Sequence, residues 1–90
     1  MNKVKLVKLS TEQIKNLDVK NWPVWEKEVS RFDWEYDQEE DCFIIEGEII
    51  VETPHEKVRI QPGDFVTFEK GLKCTWDIKQ PVKKHYRFNE

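Results

Sequence analysis

The stretch Phe32-Asp33-Trp34-Glu35-Tyr36-Asp37-Gln38-Glu39-Glu40-Asp41-Cys42-Phe43-Ile44-Ile45-Glu46-Gly47 decides the fold. Phe32, Trp34 and Tyr36 alternate with Asp33, Glu35 and Asp37, so a strand of period two sets three rings on one face and three carboxylates on the other. Such a strand roofs an interior. After a polar break, Cys42 to Ile45 is a continuous apolar run, and Gly47 precedes Ile49-Ile50-Val51. That order reads as a second strand, a tight turn and a third strand.

Downstream the pattern stays β. Thr53-Pro54-His55-Glu56-Lys57 reads as a hairpin loop and Val58-Arg59-Ile60 as its return strand. Pro62-Gly63-Asp64 is a turn, because Pro presets φ and Gly accepts a positive one. Phe65 to Phe68 is a strand, and Lys70 to Lys73 is a turn. Cys74-Thr75-Trp76-Asp77-Ile78 then alternates, setting Cys74, Trp76 and Ile78 on one face. The last strand, Val82 to Phe88, puts Val82, Lys84, Tyr86 and Phe88 on one face and Lys83, His85 and Arg87 on the other. Upstream, Val4 to Leu9 is a first strand. Ser10 with Gln13 forms a helix start, and the short helix ends near Leu17. Pro23 in Trp22-Pro23-Val24-Trp25 places that stretch at a sheet edge or strand start. About eight short strands and one short N-terminal helix describe a small barrel or sandwich.

Ninety residues make one domain, 1–90, with the strand and helix in 1–21 and the barrel in 22–88. A chain of this size buries roughly 60–65% of its unfolded surface, and eleven aromatic residues, four of them Trp, point to a core built from rings. The 18 acidic and 15 basic side chains are interleaved for a net charge of −3, which leaves no basic stripe for nucleic acid. The lysines between Asn2 and Lys8 read as the solvated side of an edge strand. No apolar run reaches the roughly 18–20 residues of a membrane span, and no secretory apolar core opens the chain. The expected location is the cytoplasm, with Cys42 and Cys74 as reduced, small core fillers.

The spacing Gly63-x5-Glu69-x-Gly71-x2-Cys74 resembles the second cupin motif, Gly-x5-Pro-x-Gly-x2-His. Trp34, Tyr36, Glu40 and Gly47 fall at the spacing of the first, His-x-His-x3-Glu-x6-Gly. With Phe32-Asp33-Trp34, Glu46-Gly47-Glu48, Pro62-Gly63-Asp64, Cys74-x-Trp76 and Val82-Lys83-Lys84-His85-Tyr86, the chain from Trp22 to Phe88 resembles the single-domain cupins grouped with the ureidoglycine aminohydrolase cupin domain. The resemblance implies an all-β fold, a small antiparallel cupin (jelly-roll) β-barrel open at one mouth and often paired into a homodimer. Trp34, Tyr36 and Cys74 stand where the motifs carry histidine, so three of the four ligand types of a cupin metal centre are replaced. Indole does not ligate a metal ion, and phenol does so poorly. The expectation is therefore a barrel without a metal cofactor; a divalent metal, if held, would use Glu40 and Cys74.

Alternation and the resemblance together put Trp34, Tyr36, Glu40, Cys74, Trp76, Lys84 and Tyr86 inside as ligand-binding residues. His55 is expected in the exposed hairpin loop, and His85 outward or at a subunit contact. A Glu and a Lys facing a barrel interior require pairing, water or a ligand. Two indole walls with two phenols suit a small polar metabolite. The leading expectation is a non-catalytic small-molecule-binding protein. One alternative is an enzyme on a small nitrogenous metabolite, ureidoglycine aminohydrolase-like by resemblance, with Glu40 or Lys84 as acid–base group. Another is a dimerising structural module, since Cys42 to Ile45 and Ile49 to Val51 are apolar on both faces and need cover.

Overall fold

The computed structural model describes residues 3–89, so Asn2, at the head of the lysine-bearing segment, lies outside the described residues. Seven strands follow in order: β1 (Val4–Lys8), β2 (Val24–Lys27), β3 (Ser30–Glu35), β4 (Glu39–Glu52), β5 (Lys57–Ile60), β6 (Asp64–Phe68) and β7 (Lys73–Asn89). The α-helix among the described residues, α1 (Thr11–Asn16), starts at Ser10, whose hydroxyl accepts from the Gln13 N–H while the Gln13 side chain accepts from the Ser10 N–H. A 3-10 turn, Val19–Asn21, follows it.

The two long strands organise everything else. Cys42 to Ile45 and Ile49 to Val51, expected as two strands about a tight turn, are one strand, β4; likewise β7 runs unbroken through Pro81. β4 and β7 pair with each other along almost their whole length and bend together at one corner. Before the corner β4 pairs with β6 (Cys42↔Val66) and β7 (Ile44↔Lys84); after it, with β5 (Ile49↔Ile60) and β7 (Val51↔Trp76). The sheet path is therefore β1-β6-β4-β7-β2, with β3 added on β7 and β5 on β4. The antiparallel jelly-roll architecture agrees with the expectation. Its wall, however, is a single sheet folded over on itself rather than a barrel closed by hydrogen bonds.

Irregular pairing marks the corner, with register shifts between Ile44 and Ile49. The shifts change the phase of burial in β4: Cys42 and Ile44 point inward before the corner, Ile49 and Val51 after it. Gly47 makes this possible. Its φ is +108°, and a Cβ there would stand 2.6 Å from the Pro81 carbonyl oxygen and 2.7 Å from Val82 Cα. A tight turn and a corner share the same local signal, a glycine between apolar runs, and only the close approach of β7 separates them. Proline tolerates the opposite position because it occurs in sheets at bulges and edges, where no ladder N–H is needed.

The folded halves enclose two kinds of core. At one end Ile44, Ile49, Val51, Ile60, Ile78 and Val82 fill the space, each no more than 2% exposed. At the other end rings do. Tyr36 stacks on Phe68 at 4.8 Å and 4°, Phe68 tilts against Trp76 at 5.6 Å, and Trp76 stacks on Phe32 at 6.2 Å and 18°. The outer face around Phe65 is covered by the chain itself, with Val19 buried and Trp22 edge-on to Phe65 at 6.2 Å. His85, on that outer face, is half-buried with Nδ1 3.0 Å from the Trp22 carbonyl, and Arg87 lies over the Trp22 ring at 4.3 Å. His55 is exposed in the hairpin loop.

The corner generates a test. Gly63 has φ +89° but open space around it, so Gly63→Ala is expected to cost only the strain of positive φ, about 1–2 kcal/mol. Gly47→Ala adds a backbone clash and is expected to cost about 2 kcal/mol more. Urea denaturation of the two variants checks this; equal losses would refute the close approach of Gly47 and Pro81.

Candidate functional site

At the aromatic end the folded sheet leaves a half-open cavity of about 530 Å³. Its wall includes Trp25 from β2, Phe32, Asp33 and Trp34 from β3, Glu40 from β4, and Trp76, Lys84, Tyr86 and Phe88 from β7. Tyr36, just beyond β3, completes it and is tied down by backbone bonds to Leu72 and Gly71.

Lys84 and Glu40 meet there, each 5% exposed, with Nζ 3.2 Å from Oε1. The same ammonium donates to Cys42 Sγ at 3.2 Å. Three rings surround it, with centroids 4.8 Å (Trp76), 4.9 Å (Trp25) and 5.9 Å (Tyr86) from Nζ. The strand register explains the convergence: Trp25 pairs directly with Lys84 across β2 and β7, and Cys42 with Tyr86 across β4 and β7. A buried charge pair survives only when partners take up its field, and carboxylate, thiol and π faces do so here.

These surroundings shape protonation. Burial pushes the Lys84 ammonium down, but Cys42 and Glu40 outweigh it and hold the group above the ordinary lysine value. Burial pushes the Cys42 thiol far up despite Lys84, so the sulfur is a neutral thiol at pH 7. The charge that answers the ammonium is therefore Glu40's carboxylate. Tyr36 is also pushed up, first by burial and then by Glu40, and stays a neutral phenol whose oxygen accepts from Trp76 Nε1 at 3.1 Å.

The expected inward residues do not all arrive together. Tyr36, Glu40, Trp76, Lys84 and Tyr86 converge on the cavity. Trp34 keeps the expected face but is 52% exposed, because β3 carries it to the mouth rather than the interior. Cys74 does not line this cavity; it opens on a shallower groove beside Trp34, Glu52 and Pro54, and burial pushes its thiol up to about 11. The sulfur that touches the charged pair is Cys42. Alternation carries that signal, since Glu40 and Cys42 share a face. Trp25 and Phe32 also line the cavity, Phe32 beneath the Lys27 ammonium at 5.4 Å.

The pair has a measurable signature. Lys84→Met leaves a buried carboxylate without a counter-charge and is expected to cost about 3–5 kcal/mol. Glu40→Gln in the same chain is expected to recover at least about 1 kcal/mol of that loss. Denaturation midpoints of both single variants and the double variant check it, and strictly additive costs would show that the groups do not interact.

Among known proteins, the family model described as EutQ-like cupin domain matches residues 14–86. A DUF861-family protein of Thermotoga maritima is 50% identical, with a TM-score of 0.95 over 97% of this chain and 100% of that one. The EutQ protein of Clostridium difficile shares the fold at 19% identity and TM-score 0.68, over 97% of this chain and 68% of its own. A DUF861-family protein of unknown function from Pseudomonas syringae does so at 22% identity and TM-score 0.68, over 73% of this chain and 29% of its own. No curated protein matches. Among the described residues no helix is long and apolar enough to cross a membrane.

Proposed function

The chain belongs to the EutQ-like cupin family, and on that premise we propose that it binds a small polar organic molecule in the aromatic cavity without a metal centre. The observation that carries this reading is the buried Lys84–Glu40 pair facing a cavity that opens to solvent. A structural core would gain from apolar side chains of the same volume, since replacing a buried ion pair by well-packed apolar residues is often neutral or stabilising. Keeping the pair at a cavity wall serves recognition. The volume falls within the roughly 300–1,000 Å³ of small-molecule sites.

A divalent ion does not suit the donors at hand. Glu40 already faces an ammonium, Cys42 is a neutral thiol, and the remaining walls are indole and phenol. Among the described residues no three His, Cys, Asp or Glu side chains gather as a metal-holding group. The ion pair also weighs against the enzyme alternative, an aminohydrolase-like reaction on a nitrogenous metabolite with Glu40 or Lys84 as acid–base group. A general acid or base works best with a pKa near the operating pH, and Lys84 is held above its ordinary value.

Trp34 offers the clean variant, since it is half-exposed and carries little of the core. The test is metal analysis of protein purified without chelator or affinity tag, followed by a thermal-shift screen of small polar metabolites. The expected result is no stoichiometric metal and a saturable stabiliser, worth about 2.7 kcal/mol at a hundredfold excess over Kd, whose affinity falls in Trp34→Ala. Stoichiometric manganese or zinc with turnover of a ureido compound would favour the enzyme instead.

A further inference from the structure

The hydrogen-bonding groups that the protein leaves open in this cavity define a chemical complement. A lysine ammonium has three N–H donors; two of Lys84's go to Glu40 Oε1 and Cys42 Sγ. Its third meets no oxygen or sulfur acceptor among the described residues. Tyr36 accepts from Trp76 Nε1, yet its own hydroxyl proton finds no acceptor among the described residues. Glu40 Oε1 is taken by Lys84 and the Cys42 thiol also bonds this carboxylate, yet the two oxygens offer about four lone-pair sites and so keep accepting capacity toward the cavity. Trp76 spans these groups, one edge bonded to Tyr36 and its face 4.8 Å from the ammonium. The cavity therefore presents two open donors and one open acceptor within about the length of an indole.

Charge narrows the choice further. Lys84 and Glu40 cancel at 3.2 Å. An anion drawn to Lys84 is repelled by the carboxylate beside it, and a cation drawn to Glu40 is repelled by the ammonium. Either ion loses its hydration without a net counter-charge, which is the costly case for burial. A neutral ligand avoids that cost. The walls favour flat faces, with Trp76 and Phe32 stacked at 18° and Trp25 edge-on to Trp76 at 78°.

We propose that the ligand is an uncharged planar heterocycle with a lactam edge, a ring carbonyl beside a ring N–H. The carbonyl accepts from Lys84 and Tyr36, the N–H donates to Glu40, and the ring lies against the aromatic wall. This rests on the binding reading above and gives it a chemical class.

The test uses three probes of matched ring size at pH 7: 2-pyridone, benzoate and benzylamine. Each is titrated into the full chain while the four tryptophan indole N–H signals are followed by 1H–15N NMR. Trp22, on the outer face with its N–H bonded to the Leu17 carbonyl, is the internal control. The expected result is that 2-pyridone moves Trp25 and Trp76 saturably, leaves Trp22 in place, and binds about tenfold tighter than either ion, a difference of roughly 1.4 kcal/mol. Glu40→Gln, which uncovers the Lys84 charge, is expected to shift the preference toward benzoate. Benzoate or benzylamine binding as tightly as 2-pyridone to the unaltered chain would overturn the neutral-ligand inference and leave the cavity reading intact. If no probe moved Trp25 or Trp76 up to its solubility limit, the cavity reading itself would fall.

Discussion

The structure depends on one close approach, β4 laid against β7 at a corner where Gly47 touches the backbone of Pro81 and Val82. Neither strand could turn there alone. A β4 that bent without β7 would break its ladder, and a side chain at position 47 would hold the strands apart. Because they bend together, pairing continues from Ile44↔Lys84 through to Val51↔Trp76, and the sheet folds into two facing halves. β2 and β3 attach to β7 of this spine and β5 and β6 to β4, with β1 added outside β6.

The same corner places the chemistry. Residues before it on β4 and after it on β7, Glu40, Cys42, Lys84 and Tyr86, come to the open end together with Trp76 and Trp25. Aliphatic side chains pack the other end to full burial. A second polar cluster shows by contrast what a purely structural arrangement looks like. On β4's outer side, burial opposes charge on Asp41, but hydrogen bonds from Asn89, Thr67 and Arg87 outweigh it and hold the carboxyl below the ordinary range. Asp41 spends both oxygens on its neighbours. Glu40, one residue away and facing inward, meets only the Lys84 ammonium and the Cys42 thiol at the cavity wall.

Much of the fold was legible because period-two alternation and turn residues are local signals. The capped helix at Ser10, the turn at Gly63 and the inward face of Trp76, Lys84 and Tyr86 all follow from neighbours in sequence. What was not legible depends on partners far along the chain. Gly47 read as a tight turn because its clash with Pro81 belongs to the fold and not to the local sequence. Trp34 shares a face with Phe32 and Tyr36, yet depth along the strand decides exposure, and the strand's pattern carries no depth. Cys74 sits at a motif position, whereas Cys42 meets the lysine because the β4–β7 register puts it there. The family match settles membership and fold; it leaves the cavity's ligand to be argued from these side chains.

Lys84 lies within the aromatic end, its ammonium over the Trp25 and Trp76 rings at 4.9 and 4.8 Å. Ring currents make that directly visible in a 1H–13C spectrum of the lysine ε-methylene groups. Lys84, assigned by its loss in Lys84→Arg, is expected to resonate well upfield of every other lysine. A Lys84 signal among those of the solvated lysines would contradict it.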